Sequence, residues 1–220
     1  MTMLTPPFPP LFSRLWIAAL AAGIAYLPIA SITGGTAVVA AKGAMLVILA
    51  MAALALRVPG AGWLAVIMAA GAAGDMLLAV PGGFMIGAIA FALGHVVAIM
   101  FYMRRRAAST VSRRLIAAAL IGYGLAMPAL VTPAGTPIGL VMVYAVLLCG
   151  MAASLWLSSL PRVAFAGALL FVLSDTLLVM RMGGTLVGTA AAHGAMVWLS
   201  YAAGQALICL GVARGLLAER

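Results

Sequence analysis

Between Leu15 and Leu56 the chain carries one charged side chain, Lys42. Similar stretches recur to the end of the sequence, broken by clusters of Gly, Pro and Arg. Of the 220 residues, 67% are hydrophobic and 7% charged, and the mean hydropathy is +1.28. A soluble domain carries nearer a quarter charged residues, and no soluble fold of this length could hide so much apolar surface. Such a chain has lipid as its solvent. Hydrocarbon offers no hydrogen bonds, so each span must satisfy its own backbone. With no alternating barrel pattern present, the spans are helices.

A span takes about 20 residues to cross a hydrocarbon core of about 30 Å. Divided at its Gly, Pro and Arg breaks, the sequence gives eight spans: 15–31, 37–56, 61–80, 84–103, 113–131, 138–157, 162–180 and 187–214. The fold class expected is an all-α, polytopic membrane bundle forming one domain over 1–220. With eight spans, Arg14, Arg57, Arg104, Arg105, Arg106, Arg113, Arg114, Arg162, Arg214 and Arg220 fall on one side, and Arg181 alone on the other. The positive-inside rule then puts both termini in the cytoplasm. Arg in preference to Lys, with abundant Ala, suggests a bacterial inner membrane.

The net charge of +9 does not indicate a nucleic-acid partner, because the arginines lie between apolar segments rather than along a soluble face. Arg14 and the apolar run after it have the outline of a signal peptide. The Pro-rich lead argues instead for an uncleaved first span from Leu15. Cys149 and Cys209 lie inside apolar runs without disulfide or metal spacing, and read as small core residues.

Only three acidic residues are present, Asp75, Asp175 and Glu219. Glu219 adjoins the C-terminus, where a charge is inexpensive. The other two lie in apolar runs, and ionisable groups inside a membrane mark functional sites by default. Lys42, Asp75 and Asp175 fall at a similar depth, one to two turns from the outer ends of spans two, three and seven. His95 lies deeper, in span four. Tyr201 and Gln205 lie near the middle of span eight and share a face at i, i+4. Gly71, Gly74, Gly94 and Gly204 beside these groups allow close helix approach or leave room for a ligand. His193 points away from Tyr201 and Gln205 and reads as structural. With no clustered Cys, and carboxylates and His95 at different depths, no metal site is expected. No nucleophile motif is present either, and Ser174 should face away from its neighbour Asp175.

The aspartates are 100 residues apart in related settings, "DMLLAVPGGFMIG" and "DTLLVMRMGGTLVG". This suggests two parallel four-helix halves, 1–110 and 111–220, related by an axis along the membrane normal.

At these residues the chain resembles the YhhN family of lysoplasmalogenases, from the Lys of span two to the Gln of span eight. The features that match are Lys42, "GDMLL" around Asp75, "LGH" ending at His95, "GALLFVLSD" ending at Asp175, and Tyr201 followed by Gly204-Gln205. Two positions depart from the family pattern. Gly43 follows the lysine in place of Pro, and Gly204 precedes Gln205 in place of Ala. Both bear on the fit of a substrate rather than on a reactive group. The resemblance implies hydrolysis of the vinyl ether of single-chain ether phospholipids with ethanolamine or choline heads, without a metal or organic cofactor.

Vinyl ether hydrolysis needs an acid to protonate carbon, a base to aim water and negative charge near an oxocarbenium ion. Two unlike carboxyl groups can supply these, as they do in glycosidases. Asp75 and Asp175 are accordingly the expected catalytic pair, with Lys42 beside the ionised member. The sequence leaves open which carries the proton, although the wholly apolar neighbours Phe171, Leu178 and Val179 favour Asp175. His95, Tyr201 and Gln205 would support water or the glycerophosphate oxygens. The alternative from the residues alone is a proton-coupled small-molecule or lipid transporter, which also gathers polar groups near the midplane.

Overall fold

The computed structural model describes residues 7–132 and 138–220. Among them are eight α-helices and no strand: α1 (Pro10–Ile32), α2 (Gly35–Ala55), α3 (Ala61–Leu78), α4 (Phe84–Met103), α5 (Val111–Val131), α6 (Gly139–Leu157), α7 (Arg162–Met182) and α8 (Ala190–Ala218). All eight are long and apolar enough to cross a membrane. The protein is an integral membrane helix bundle, and its outward-facing Ile24, Leu54, Leu93 and Leu130 are exposed as lipid-facing residues would be.

Most boundaries agree with the sequence to within two residues, and the exceptions have local causes. Helix α1 begins at Pro10 rather than Leu15, because proline suits the first helical position, where its missing N–H is not needed. The Phe8 and Phe12 rings stack at 4.7 Å, and Phe12 is fully buried, so the Pro-rich lead docks onto the bundle. Helix α8 begins at Ala190 rather than residue 187, where Thr189 Oγ1 accepts from the Ala192 N–H at 3.1 Å. It then runs to Ala218, four residues beyond the expected end.

Helices α1 to α4 pack in chain order, α5 packs on α6, and α7 packs on α8. Helix α4 meets α6, while α8 reaches back to α1, α2 and α3. The closest pair is α7 and α8. A Cβ added at Gly204 would lie 2.8 Å from the Gly167 carbonyl oxygen, and one at Gly211 would lie 2.5 Å from the Ala164 nitrogen. Lipid tails are as apolar as leucine, so such backbone contact supplies packing that the hydrophobic effect cannot.

The Arg-rich end is closed by its loops. Ala107 donates to the Leu157 carbonyl at 3.0 Å, and Ser159 donates to the Arg105 carbonyl at 2.8 Å. Arg113 and Arg162 donate to the Trp156 carbonyl at 2.6 and 2.8 Å. Glu219, read from the sequence as an inexpensive charge beside the C-terminus, accepts two guanidinium nitrogens of Arg105 at 2.9 and 3.1 Å.

The α7–α8 contact gives a direct test. Gly204→Leu should destabilise the bundle by about 1–3 kcal/mol or more, since backbone cannot yield as a side chain does. Gly62→Leu, where nothing lies within 4 Å, should be neutral. Thermal unfolding of the two purified variants in one detergent checks this.

Candidate active site

A cavity of about 970 Å³ opens among all the helices except α5. That is the upper range for small-molecule sites. Its walls are largely aliphatic, with Leu27, Ile89, Val143, Leu147 and Leu178 among them. Polar groups converge on it from six helices: Tyr26, Lys42, Asp75, Tyr144, Ser174, Asp175 and Tyr201. Four of the six residues singled out in the sequence, Lys42, Asp75, Asp175 and Tyr201, therefore share one chamber.

The two carboxylates are buried, at 3% exposure for Asp75 and 8% for Asp175. Each accepts one phenol hydroxyl from another helix. Tyr201 Oη on α8 donates to Asp75 Oδ2 at 2.9 Å, and Tyr144 Oη on α6 donates to Asp175 Oδ2 at 2.7 Å. Tyr201 thus holds an aspartate rather than facing substrate alone. Lys42 lines the same chamber as Asp75. It makes no direct ion pair, since the one pair within 4 Å among the described residues is Arg105–Glu219. The two aspartates consequently differ: Asp75 has a phenol and an ammonium charge, whereas Asp175 has a phenol and aliphatic walls.

Aromatic rings pack around this polar group. Phe171 lies 5.1 Å from Tyr201 and 6.1 Å from Phe91 between ring centroids, and Trp198 lies 5.7 Å from Tyr201. Phe91 and Phe171 also line a second void, of about 20 Å³, together with His95, Tyr102 and Gln205. His95 and Gln205 thus do not line the main chamber, but lie across these two rings from it. The void has room for one water molecule, and His95, Tyr102 and Gln205 bring polar atoms to its otherwise apolar lining. His95 Nε2 and the Tyr102 hydroxyl are buried there without a protein partner.

The glycines near the site serve close packing. A Cβ at Gly74 would strike the Phe91 ring, one at Gly94 would come within 3.1 Å of Ala70 Cβ, and Gly204 meets the α7 backbone. His193 is structural, as expected. Its Nδ1 accepts from the Val187 N–H at 2.9 Å, which leaves Nε2–H to donate to the Leu177 carbonyl at 2.8 Å. Ser174 does border the chamber beside Asp175, but its hydroxyl is committed to the Val197 carbonyl at 2.9 Å. No group of His, Cys, Asp and Glu among the described residues could hold a metal ion.

Tyr144 and Tyr26 were not singled out in the sequence. Tyr144 was open to the same reasoning as Tyr201, being a hydroxyl inside an apolar span. Which helix faces α7 is what the sequence does not state.

The Tyr144–Asp175 bond is testable by a double-mutant cycle. Tyr144→Phe and Asp175→Asn should be non-additive in unfolding free energy by about 0.5–3 kcal/mol, as partners in contact are. Tyr144→Phe with Asp75→Asn should come closer to additivity.

Comparison with known proteins gives one match and two blanks. The model of the YhhN family matches residues 37–212. The match takes in every residue of the site except Tyr26, and the chain belongs to that family. No curated protein and no solved structure matches it.

Proposed function

We propose that this member of the YhhN family is a hydrolase that cleaves the vinyl ether of lysoplasmalogens, in a bacterial inner membrane with both termini cytoplasmic. The observation that carries the reading is the pair of buried carboxyl groups with unlike partners in one lipid-sized chamber. The family resemblance supplies the substrate, and the geometry supplies a division of labour.

Asp175, in aliphatic surroundings with a single phenol donor, is assigned as the acid. It adds a proton to the alkene carbon remote from oxygen, which leaves an oxocarbenium ion. Asp75, with Lys42 acting on it, is assigned as the anion that stabilises this ion and takes a proton from the attacking water. The hemiacetal then collapses to a fatty aldehyde and the free glycerol hydroxyl. In that collapse the hemiacetal hydroxyl gives its proton to Asp175, and Asp75 gives the proton it took from water to the leaving glycerol oxygen, so one vinyl ether and one water give one aldehyde and one alcohol with both aspartates restored. The rings of Phe171, Tyr201 and Trp198 present electron-rich faces near the developing cation. The small void beside His95 and Gln205 is the proposed reservoir for the water.

Replacing Asp75 or Asp175 by Asn should lower aldehyde release at least about a hundredfold, within the range ascribed to general acid–base groups. Melting temperature should report a folded protein in both. In D2O the aldehyde should carry one deuterium on the carbon next to its carbonyl, as mass spectrometry can show. Attack on an acyl ester leaves no such label, and full activity of Asp75→Asn would rule out the two-carboxylate scheme.

A further inference from the structure

We propose that Arg181 binds the phosphate of the substrate, and so gives the chamber a preference for lipids with a phosphodiester head. This rests on the ether-lipid reading above and deepens it. Arg181 stands in the last turn of α7 and lines the chamber. The other cation there, Lys42, is assigned to Asp75 in that reading.

Among the described residues Arg181 has no acidic partner. The chain holds three acidic side chains. Glu219 is taken by Arg105, Asp75 by Tyr201 and Asp175 by Tyr144. Other arginines are engaged elsewhere. Arg113 and Arg162 bond to backbone carbonyls, Arg104 lies over Trp63, and Arg214 lies over Phe8. The Arg181 guanidinium makes no such contact among the described residues. The side chain is exposed and leans over α8, where a Cβ at Gly194 would lie 3.3 Å from Nη1. Gly194 also lines the chamber. The side chain therefore lies across α7 and α8 beside the cavity, with its donors unspent.

The spacing suits a glycerophospholipid. Six residues separate Asp175 from Arg181, a rise of about 9 Å along the helix. Seven bonds separate the alkene carbon that takes the proton from the phosphorus of a lysoplasmalogen. They span about 8 Å when extended, at the advance per bond of an extended backbone. With the vinyl ether at Asp175, the phosphate reaches the level of Arg181. A guanidinium offers two parallel donors to phosphate oxygens, bonds stronger than those between neutral groups.

The test is binding of uncleavable saturated ethers to the purified full-length protein. The probes are 1-O-hexadecyl-glycerophosphocholine and 1-O-hexadecylglycerol, which differ in the phosphodiester head. Wild type should bind the first at least about tenfold tighter, as charge-assisted bonds imply. Arg181→Gln should reduce that ratio to about twofold, and Arg181→Lys should be intermediate, as a point charge without the fork. The same ratio in wild type and Arg181→Gln, or no preference in wild type, overturns the assignment. So does tight binding of inorganic phosphate alone that Arg181→Gln removes. Should Arg181→Gln not fold, a full wild-type preference in Arg181→Lys counts against the fork. Because neither probe can be cleaved, the result stands apart from the hydrolase reading. A phosphate preference without aldehyde release from lysoplasmalogen would retain Arg181 and reject the reaction.

Discussion

A carboxyl group inside a membrane bundle needs a donor from a neighbouring helix, and this bundle meets that need twice. Left without a partner, a buried polar group costs several kcal/mol in apolar surroundings, about 2–7 by common reference states. Tyr201 of α8 reaches Asp75 on α3, and Tyr144 of α6 reaches Asp175 on α7. These bonds fix α8 against α3 and α6 against α7 at the level of the chamber. The backbone contact between α7 and α8 then couples them. One tightly packed helix pair carries both an aspartate and the donor to the other aspartate. Displacing that pair would disturb both carboxylates together.

The chain's cations are divided by what their geometry can do. Ten of the eleven arginines fall at the Arg-rich end or in its loops by the sequence reading, and there Arg113 spans the Ala108, Trp156 and Ser158 carbonyls while Arg162 also bonds to that of Trp156. The planar guanidinium suits that work, since one head can serve two acceptors. The chain's one lysine stands inside the bundle, where a compact charge on a flexible stem can act on one carboxylate. Without it, Asp75 and Asp175 would have nearly equivalent surroundings, each a carboxyl group with a phenol donor. In the proposed scheme Lys42 is what makes them unlike, and unlike carboxyl groups are what acid–base chemistry requires.

Much of the bundle could be read from hydropathy, because lipid tolerates few alternatives to a helix of about 20 residues. The start of α1 was missed by five residues because Pro9 and Pro10 read as a break, when in fact they open the helix. The chamber residues were legible for a related reason: Lys42, Asp75 and Asp175 are conspicuous where charge is costly. Tyr144 was not, because a tyrosine in an apolar span resembles packing until its neighbour is known. Depth along a helix follows from counting residues, but direction around it relative to other helices does not. His95 and Gln205 show the difference. Their depth near the mid-bundle agrees with expectation, yet the rings of Phe91 and Phe171 divide them from the chamber.

That partition bears on a difficulty inherent in hydrolysing a lipid within a lipid-facing site. A substrate that fills the chamber displaces water from it, and dryness strengthens the electrostatic stabilisation of a cation by Asp75. The reaction still consumes one water. If all water came past the lipid, excluding it and admitting it would conflict. A separate void with polar atoms, on the other side of two aromatic rings, removes the conflict. Tyr102, near the Arg-rich end of α4, and His95 both offer unpartnered polar atoms there, so a single water can be held by hydrogen bonds while the chamber stays apolar. Phe91 and Phe171 then serve on both faces, toward the ion on one and toward the water on the other. In the proposed reaction His95 and Gln205 would act through water supply, and Asp75 and Asp175 on the bond itself.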